Sequence, residues 1–504
     1  MTDRIIAWLD AGSIIQFGIS QFLQKNHDCE LYALIDTTNS VRRFFEKQKM
    51  VNFKEKWFFH DHIKKGSKSD RDYLDSFEKK YGVNLWQLAL NDRTLNHHNE
   101  FYNFTSDEVL SILTQECKLF EKILTKTKPD FFLTQETVFQ PQHLFHLMCK
   151  SLGIKVLMLN HANFEKLCYV AEERHELDYV HNLDDIKGED RSFEKLLNRL
   201  YAADFSKQIS DFYYSDRNLV SKKFKSAYDY FIASSNTNLK THYSYYGRTK
   251  TRVFFNYLFA KWKKQRRESF INSSFVKNPD YERRFIYVPL HQEPERSLLI
   301  AAPFFTNQVE TIRHIAKSIP ANFLLYVKEH PTQGPARDWR PISIYKEIMN
   351  IPNVVLIHPK VDSKKLLEKC AIVISTGGTS CFEAAFFQKP SITLTKMGYG
   401  LLPCIETVTS ITELSDAITR SLEKKVKASD LDKYISLLEK NSFEFDYLQF
   451  EVKLLNTFFH GGNQVEIEIP IHEMEYFLNQ EKEVFELLGR EHLKKIKQHK
   501  VFLK

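Results

Sequence analysis

Two Rossmann-like parallel-sheet domains facing a cleft are what this sequence predicts, and three observations predict them. Short apolar runs alternate with helical periodicity in both halves of the chain, the pattern of repeated β-α-β units. With 504 residues and 43% apolar content, the chain is too long for one ordinary core. In the second half, small residues, a lysine and a histidine fall where strands should end, and an open α/β sheet binds ligands at those ends.

The first half opens β-α-β. Residues 5–9 read as a buried strand, 10–13 as a turn, 14–23 as a helix and 31–35 as the next strand. Residues 49–102 are polar and aromatic without a clear period and read as an insertion. Thr105 and Glu108 have capping-box spacing ahead of an apolar face from Val109 to Leu124, and Pro129 closes that helix. Strands at 131–133 and 156–159 flank a helix over 142–152 that Gly153 stops. Residues 165–225 read as helical and charged, and Tyr230–Ser234 as a last strand. From Arg284 the alternation is clearer: strands at 285–290, 323–327, 354–357, 372–375 and 392–394, with helices at 308–319, 345–349, 364–370, 380–387 and 413–422. The expected organisation is an acceptor-side domain over 1–240, a basic aromatic segment over 241–283, a nucleotide-sugar-binding domain over 284–440 and a helical tail over 441–504.

The net charge of +7 is a mild basic excess. It suits anionic ligands or an anionic membrane surface and is too weak to call for nucleic acid. Seven cysteines lie scattered without metal-ligand spacing, as reduced thiols in a cytoplasmic protein do. The N-terminus lacks a signal-peptide layout, and no apolar run reaches about 18 residues. No metal-ligand pattern is read in the sequence, so no metal and no cofactor is expected.

Two second-half segments carry the chemistry. Ile374-Ser375-Thr376-Gly377-Gly378-Thr379-Ser380 links an apolar run to a helical pattern containing Glu383. Small residues there let backbone N–H groups approach an anion, and a helix start adds positive potential. Ser380 and Glu383 also have capping-box spacing, so a purely structural role stays open. The Gly377-Gly378 pair points further, because such a turn needs at most one left-handed residue. Lys328 and His330, in Val327-Lys328-Glu329-His330-Pro331, alternate at a strand end and suit phosphate or carboxylate recognition. Arg337 and Arg340 lie just beyond. Pro294-Glu295-Arg296 follows the first strand of the same domain.

Tyr287-Val288-Pro289-Leu290-His291, Pro294-Glu295-Arg296, Asn307-Gln308, Tyr326 to Pro331, the Ser375–Glu383 turn, Lys389-Pro390 and Tyr399 with Leu402-Pro403 occur in one order and spacing. Over roughly Arg284 to Ile418 this resembles the capsule polysaccharide biosynthesis family of surface-glycan enzymes, relatives of glycosyltransferases with the two-domain GT-B fold. The resemblance implies a nucleotide-sugar donor, of Kdo type in the best-known members. It places Lys328, His330, Ser375, Thr376, Gly377, Gly378, Thr379 and Glu383 around that donor, with Glu295 beside it. Glu293 departs from the pattern, where glutamine is expected.

The first half shows no comparable match. Glycosyl transfer needs positioning, charge stabilisation of the departing phosphate and a base on the acceptor side. Glu136, at the end of its strand, is the first candidate for that base, and His161 and Asp10 are the next.

Arg248–Arg267 holds eight basic residues and no acid, with Phe254, Phe255, Leu258, Phe259 and Trp262 near one helical face. One reading packs these aromatics between the domains. The other lays the segment on an anionic membrane, on the inner membrane face, without spanning it. The functional expectation is a glycosyltransferase acting on a surface polysaccharide or glycolipid acceptor. The alternatives are a nucleotide-sugar epimerase, a polyol-phosphate transferase, or a non-catalytic glycan-assembly component.

Overall fold

The computed structural model describes residues 2–37, 39–180, 182–202, 228, 242–463 and 467–502. In the first half, β1 (Asp3–Asp10), β2 (Cys29–Asp36), β3 (Phe53–Phe58), β4 (Phe131–Thr134) and β5 (Lys155–His161) form a parallel array in the order β3-β2-β1-β4-β5. The central strands are apolar on both faces because helices cover both faces. Alternate residues of β1 feed different cores. Ile5, Ala7 and Leu9 pack with Phe17 and Ile19, whereas Ile6 and Trp8 pack with Leu113, Phe120 and Phe145. The helix Ser106–Thr127 starts at the capping box read from Thr105 and Glu108.

In the second half, β7 (Phe285–Pro289), β8 (Leu324–Lys328), β9 (Val354–Ile357), β10 (Val373–Ser375), β11 (Ser391–Thr393) and β12 (Ile405–Thr407) form an all-parallel sheet, ordered β12-β11-β10-β7-β8-β9. Each half reverses its strand order beside its first strand, between β1 and β4 and between β7 and β10. Such reversal points open a crevice at the carboxyl ends of the strands.

Three segments differ from the sequence expectation. The 49–102 stretch contains β3, an edge strand whose Phe53 and Trp57 are buried while Lys54 is exposed. Its mixed face carries too little apolar signal to stand out. The stretch read as helical from 165 contains β6 (Leu167–Ala171), which runs antiparallel to β5. β12 was not expected at all; it is three residues long with one buried side chain. The strand expected at 230–234 lies outside the described residues.

The tail returns to the first half of the chain. β13 (Phe443–Glu444) pairs with β6. Phe450, Leu454, Phe477, Phe485 and Ile496 then share one core with Ile5, Ala7 and Leu9. The helices Ile14–Asn26 and Lys482–Phe502 meet through glycines. A Cβ on Gly18 would lie 2.2 Å from the Phe485 ring, and one on Gly489 2.2 Å from the Phe22 ring.

Candidate functional site

Each strand-order reversal carries polar side chains, and the two groups meet across the domain interface. On the second-half side, the Ser375 hydroxyl follows β10. It accepts from the Gly378 N–H at 3.1 Å and bonds His291 Nε2 at 3.1 Å. His291 is itself fixed by its backbone: its N–H donates to Gln308 Oε1 at 2.8 Å, and its carbonyl accepts from Arg340. Arg340 also pairs with buried Glu329, which accepts from the Tyr345 hydroxyl at 2.7 Å. Arg340 is therefore a scaffold for the strand end rather than an anion-facing group. Glu293 is used by the same scaffold, 3.4 Å from Arg340 Nε.

The Gly377-Gly378 pair has a packing cause. Neither residue has a left-handed φ. A Cβ on Gly377 would lie 2.7 Å from Thr395, and one on Gly378 3.0 Å from Ser375 and 3.1 Å from His291. The inference from two glycines to a closely approaching ligand is thus replaced by crowding among protein side chains. The helix that follows, Ser380–Phe386, has Thr379 at its N-cap, and the Thr379 hydroxyl donates to Glu383 at 2.7 Å. That bond replaces the expected Ser380–Glu383 capping box. Thr376 is buried in the turn.

Lys328 and His330 do not share a strand face, because β8 ends at Lys328. The Lys328 ammonium donates to Ser363 at 2.6 Å, near Asp362 and Glu383. Burial lowers it to about 8 despite those carboxylates. His330 is lowered to about 4 by burial and by the positive charges of Arg340 and Lys328, and His291 to about 3 by burial, with His330 and Arg340 adding to it. Both rings are neutral at physiological pH. The Thr332 N–H donates to His330 Nδ1 at 3.3 Å, so His330 carries its proton on Nε2 and offers a neutral donor.

Between the domains lies a group that the sequence reading did not assemble. Glu136 pairs with Arg174 and lies 3.3 Å from Arg296 Nε. Arg296 also donates across the interface to the Thr137 carbonyl at 2.7 Å. Glu295 sits in the field of Arg174, Arg337 and Arg93, yet burial raises its pKa. Four arginines thus gather about Glu136 and Glu295, with Glu173 acting on Arg296 and Asp92 on Arg93. Burial lowers Arg174 to about 9, with Arg296 nearby adding repulsion, and lowers Arg296 to about 10. Burial and Arg337 lower Arg93 as well. Desolvated guanidinium groups of this kind are stabilised by an anion. Arg296 was visible within the Pro294-Glu295-Arg296 segment. Arg93 opens the short helix Arg93–His97 and Arg174 lies in a turn, neither within a motif, and only the fold brings them in.

On the first-half side, Asp10 ends β1. Its carboxylate accepts from the Gly12 N–H and the Ser13 hydroxyl, both at 2.8 Å, and from Gln135 Nε2 at 2.7 Å. Burial nevertheless raises it to about 6, and nearby Asp36 adds to the rise. His161 ends β5 with its Nδ1 3.2 Å from Asn163, and burial lowers its pKa. Of the three first-half candidates, Glu136 is engaged by two arginines, His161 is turned to its own loop, and Asp10 lines an open cavity of about 400 Å³. One grouping with metal-ligand proximity, Glu172, Asp178 and His499, occurs among the described residues. Lys155, Lys495 and Tyr179 already engage it.

Two tandem Rossmann-like domains, with a C-terminal tail that recrosses to the first, are the GT-B type of fold. The family model described as capsule polysaccharide biosynthesis protein matches residues 207–433, so that stretch carries the family's pattern. No curated protein matches the chain. Among solved structures, the chain is similar to the UDP-GlcNAc 2-epimerase of Methanocaldococcus jannaschii, at 15% identity over 87% of this chain and 99% of that one, TM-score 0.25. It is also similar to the UDP-GlcNAc 2-epimerase of Neisseria meningitidis bound to UDP-GlcNAc, at 14% identity over 87% and 100%, TM-score 0.25. A third is CalG4, the calicheamicin glycosyltransferase, at 11% identity over 95% and 99%, TM-score 0.23.

Proposed function

We propose that this protein is a glycosyltransferase that moves a sugar from a nucleotide-activated donor, of the Kdo type that the family resemblance implies, to a surface polysaccharide or glycolipid acceptor. The observation that carries the reading is the interdomain group of Arg93, Arg174, Arg296 and Arg337, gathered from both domains about Glu136 and Glu295. A donor phosphate entering there meets desolvated guanidinium groups. They hold the negative charge that appears on the phosphate as its bond to the sugar breaks. His330 adds a neutral N–H at the second-half strand end. Asp10 is the base. It takes the proton from the acceptor hydroxyl as that oxygen bonds to the sugar carbon, and the nucleotide leaves with the bonding electrons. Glu136 has a different task, holding Arg174 and Arg296 in place. In this reading the arginines balance the phosphate charge, with no metal required.

The test incubates purified protein with CMP-, UDP-, GDP- and CDP-sugars, with and without glycan acceptors. Acceptor-dependent nucleotide release supports transfer. Isomerised sugar without release assigns an epimerase instead, and donor binding without turnover assigns a non-catalytic role.

The acceptor site of such an enzyme works beside a membrane, and one helix supports that placement. Lys250–Ser274 is a single helix, and Phe254, Phe255, Tyr257, Leu258, Phe259 and Trp262 are between 44% and 60% exposed. The reading that packs these aromatics between the domains is therefore corrected. The helix is held near its start, where Arg252 donates to the Phe101 carbonyl at 2.7 Å and Asn256 to Glu100 at 2.8 Å, and in its second half, where Ile271 is buried and Arg267 pairs with Asp338 at 2.6 Å. No helix among the described residues is long and apolar enough to cross a membrane. Exposed aromatics beside basic residues fit the interface of an anionic bilayer.

A further inference from the structure

The helix Lys250–Ser274 is fastened to both domains, and each fastening lies beside an arginine of the interdomain group. Near its start, Arg252 donates to the Phe101 carbonyl at 2.7 Å and Asn256 Nδ2 to Glu100 at 2.8 Å. Phe101 is tied back toward Arg93 through Asn99. The Phe101 N–H donates to Asn99 Oδ1 at 3.0 Å, and Asn99 Nδ2 donates to the carbonyl of Thr94, the residue after Arg93, at 2.9 Å. In the second half of the helix, Arg267 donates to the Asp338 carboxylate and to the Trp339 carbonyl, both at 2.6 Å. Asp338 follows Arg337, and the loop that carries them is tightly held. The Arg337 N–H donates to the Gln333 carbonyl at 3.1 Å, and Gln333 Nε2 donates to the Asp338 carbonyl at 2.7 Å. A Cβ on Gly334 would lie 2.2 Å from the Trp339 ring.

Arg93 and Arg337 come from different domains and carry like charges. Burial and then the charge of Arg337 lower Arg93, and both arginines act on Glu295. Holding them close before an anion arrives costs repulsion, which grows where water is excluded. The helix opposes that repulsion because it is fastened to both loops. We infer that this helix is a brace that sets the spacing of Arg93 and Arg337, with Arg252 and Arg267 as its positioning residues. The inference rests on the reading that the arginine group holds the donor phosphate, and it adds residues that act on that site through others. Arg252 and Arg267 are 15 residues apart in one helix, about 22 Å along its axis, so the brace is a rigid spacer. A pair of cations already spaced for the anion gives up less on binding than a pair that must first be gathered.

The test titrates the full chain with inorganic pyrophosphate by calorimetry, as two double-mutant cycles. Arg337→Ala should weaken binding about tenfold, the loss of a charged hydrogen bond, and Arg267→Ala about three- to tenfold. In the Arg337→Ala background, Arg267→Ala should add less than about twofold. Arg252→Ala should behave in the same way against Arg93→Ala. Arg267→Ala also strips Asp338 of its partner, and a bare carboxylate repels an anion. That effect would persist without Arg337, whereas a positioning effect disappears with it. Arg267→Lys keeps a donor for Asp338 and should bind pyrophosphate within about twofold of the wild type, which covers the case of an alanine variant that melts early. Losses of equal size in both backgrounds, or wild-type affinity in Arg252→Ala and Arg267→Ala, would overturn the inference and leave the phosphate site standing. A wild-type protein that binds no pyrophosphate removes the site and the brace together. Coupled losses in a protein that releases no nucleotide keep the brace and remove the transferase.

Discussion

His330 shows how burial decides what a residue can do for a ligand. As a cation it would bind phosphate more tightly below its ordinary pKa near 6.5. Burial and two neighbouring positive charges hold it neutral down to about 4. His330→Ala should weaken donor affinity about tenfold, the loss of one hydrogen bond to a charged acceptor. The ratio of variant to wild-type Kd should stay flat from pH 5 to pH 8, and a ratio that grows as pH falls through 6.5 would show a charged histidine instead. Asp10 behaves oppositely. Its raised pKa means it is ionised, and competent as a base, only above about 6. Transfer rate should therefore rise with pH through about 6, and Asp10→Asn should lower kcat roughly 10²- to 10⁴-fold with donor Kd unchanged. For Glu136→Gln the expected pattern is reversed. Removing the carboxylate that holds Arg174 and Arg296 should alter donor Kd more than kcat, and lost turnover at unchanged Kd would restore Glu136 as the base. The sequence placed Asp10, Glu136 and His161 at strand ends, where all three do lie. It did not show which was engaged by arginine, because Arg174 and Arg296 are 122 residues apart.

At the scale of elements, the strands of both domains were legible because parallel strands covered on both faces are continuous apolar runs. β3, β6 and β12 were not, being short or lying near a sheet edge, with fewer apolar positions to register. The helix Lys250–Ser274 was legible as a helix, but its surroundings were not: the same aromatic stripe serves a packed linker and an exposed one. Its exposure gives a specific expectation. The protein should sediment with anionic liposomes at low salt, and less so as salt rises, since each basic residue near the surface contributes about 1 kcal/mol. Exchanging Lys261, Lys263, Lys264 and Arg266 for glutamate should abolish pelleting. Exchanging Phe255 and Phe259 for serine should weaken it while leaving the salt dependence. Pelleting that ignores both sets would assign the helix to a protein partner.

The whole molecule is closed by its ends. The chain begins in the first domain, builds the second, and returns to cover the first with the helix Lys482–Phe502. Nothing in the sequence of the tail announces this, because its apolar face would suit a cover for either domain. The contact depends on two helices approaching closely at Gly18 and Gly489, with the Phe485 and Phe22 rings filling the space that side chains would take. Two opposed effects act on Gly18→Ala. Alanine favours a helix over glycine by about 1 kcal/mol. Against this, its methyl would fall 2.2 Å from a ring that is only 6% exposed and cannot swing into solvent. Overpacking of that kind costs about 1–3 kcal/mol, so it should win, and Gly18→Ala should lower the denaturation midpoint. Replacing Phe485 by leucine removes the obstructing ring. In the Phe485→Leu background, the same Gly18→Ala change should raise stability, because only the helix preference remains. A sign reversal between the two backgrounds, read from urea denaturation as a double-mutant cycle, establishes that the tail packs on the first helix. Equal effects in both backgrounds would mean that this tail lies elsewhere.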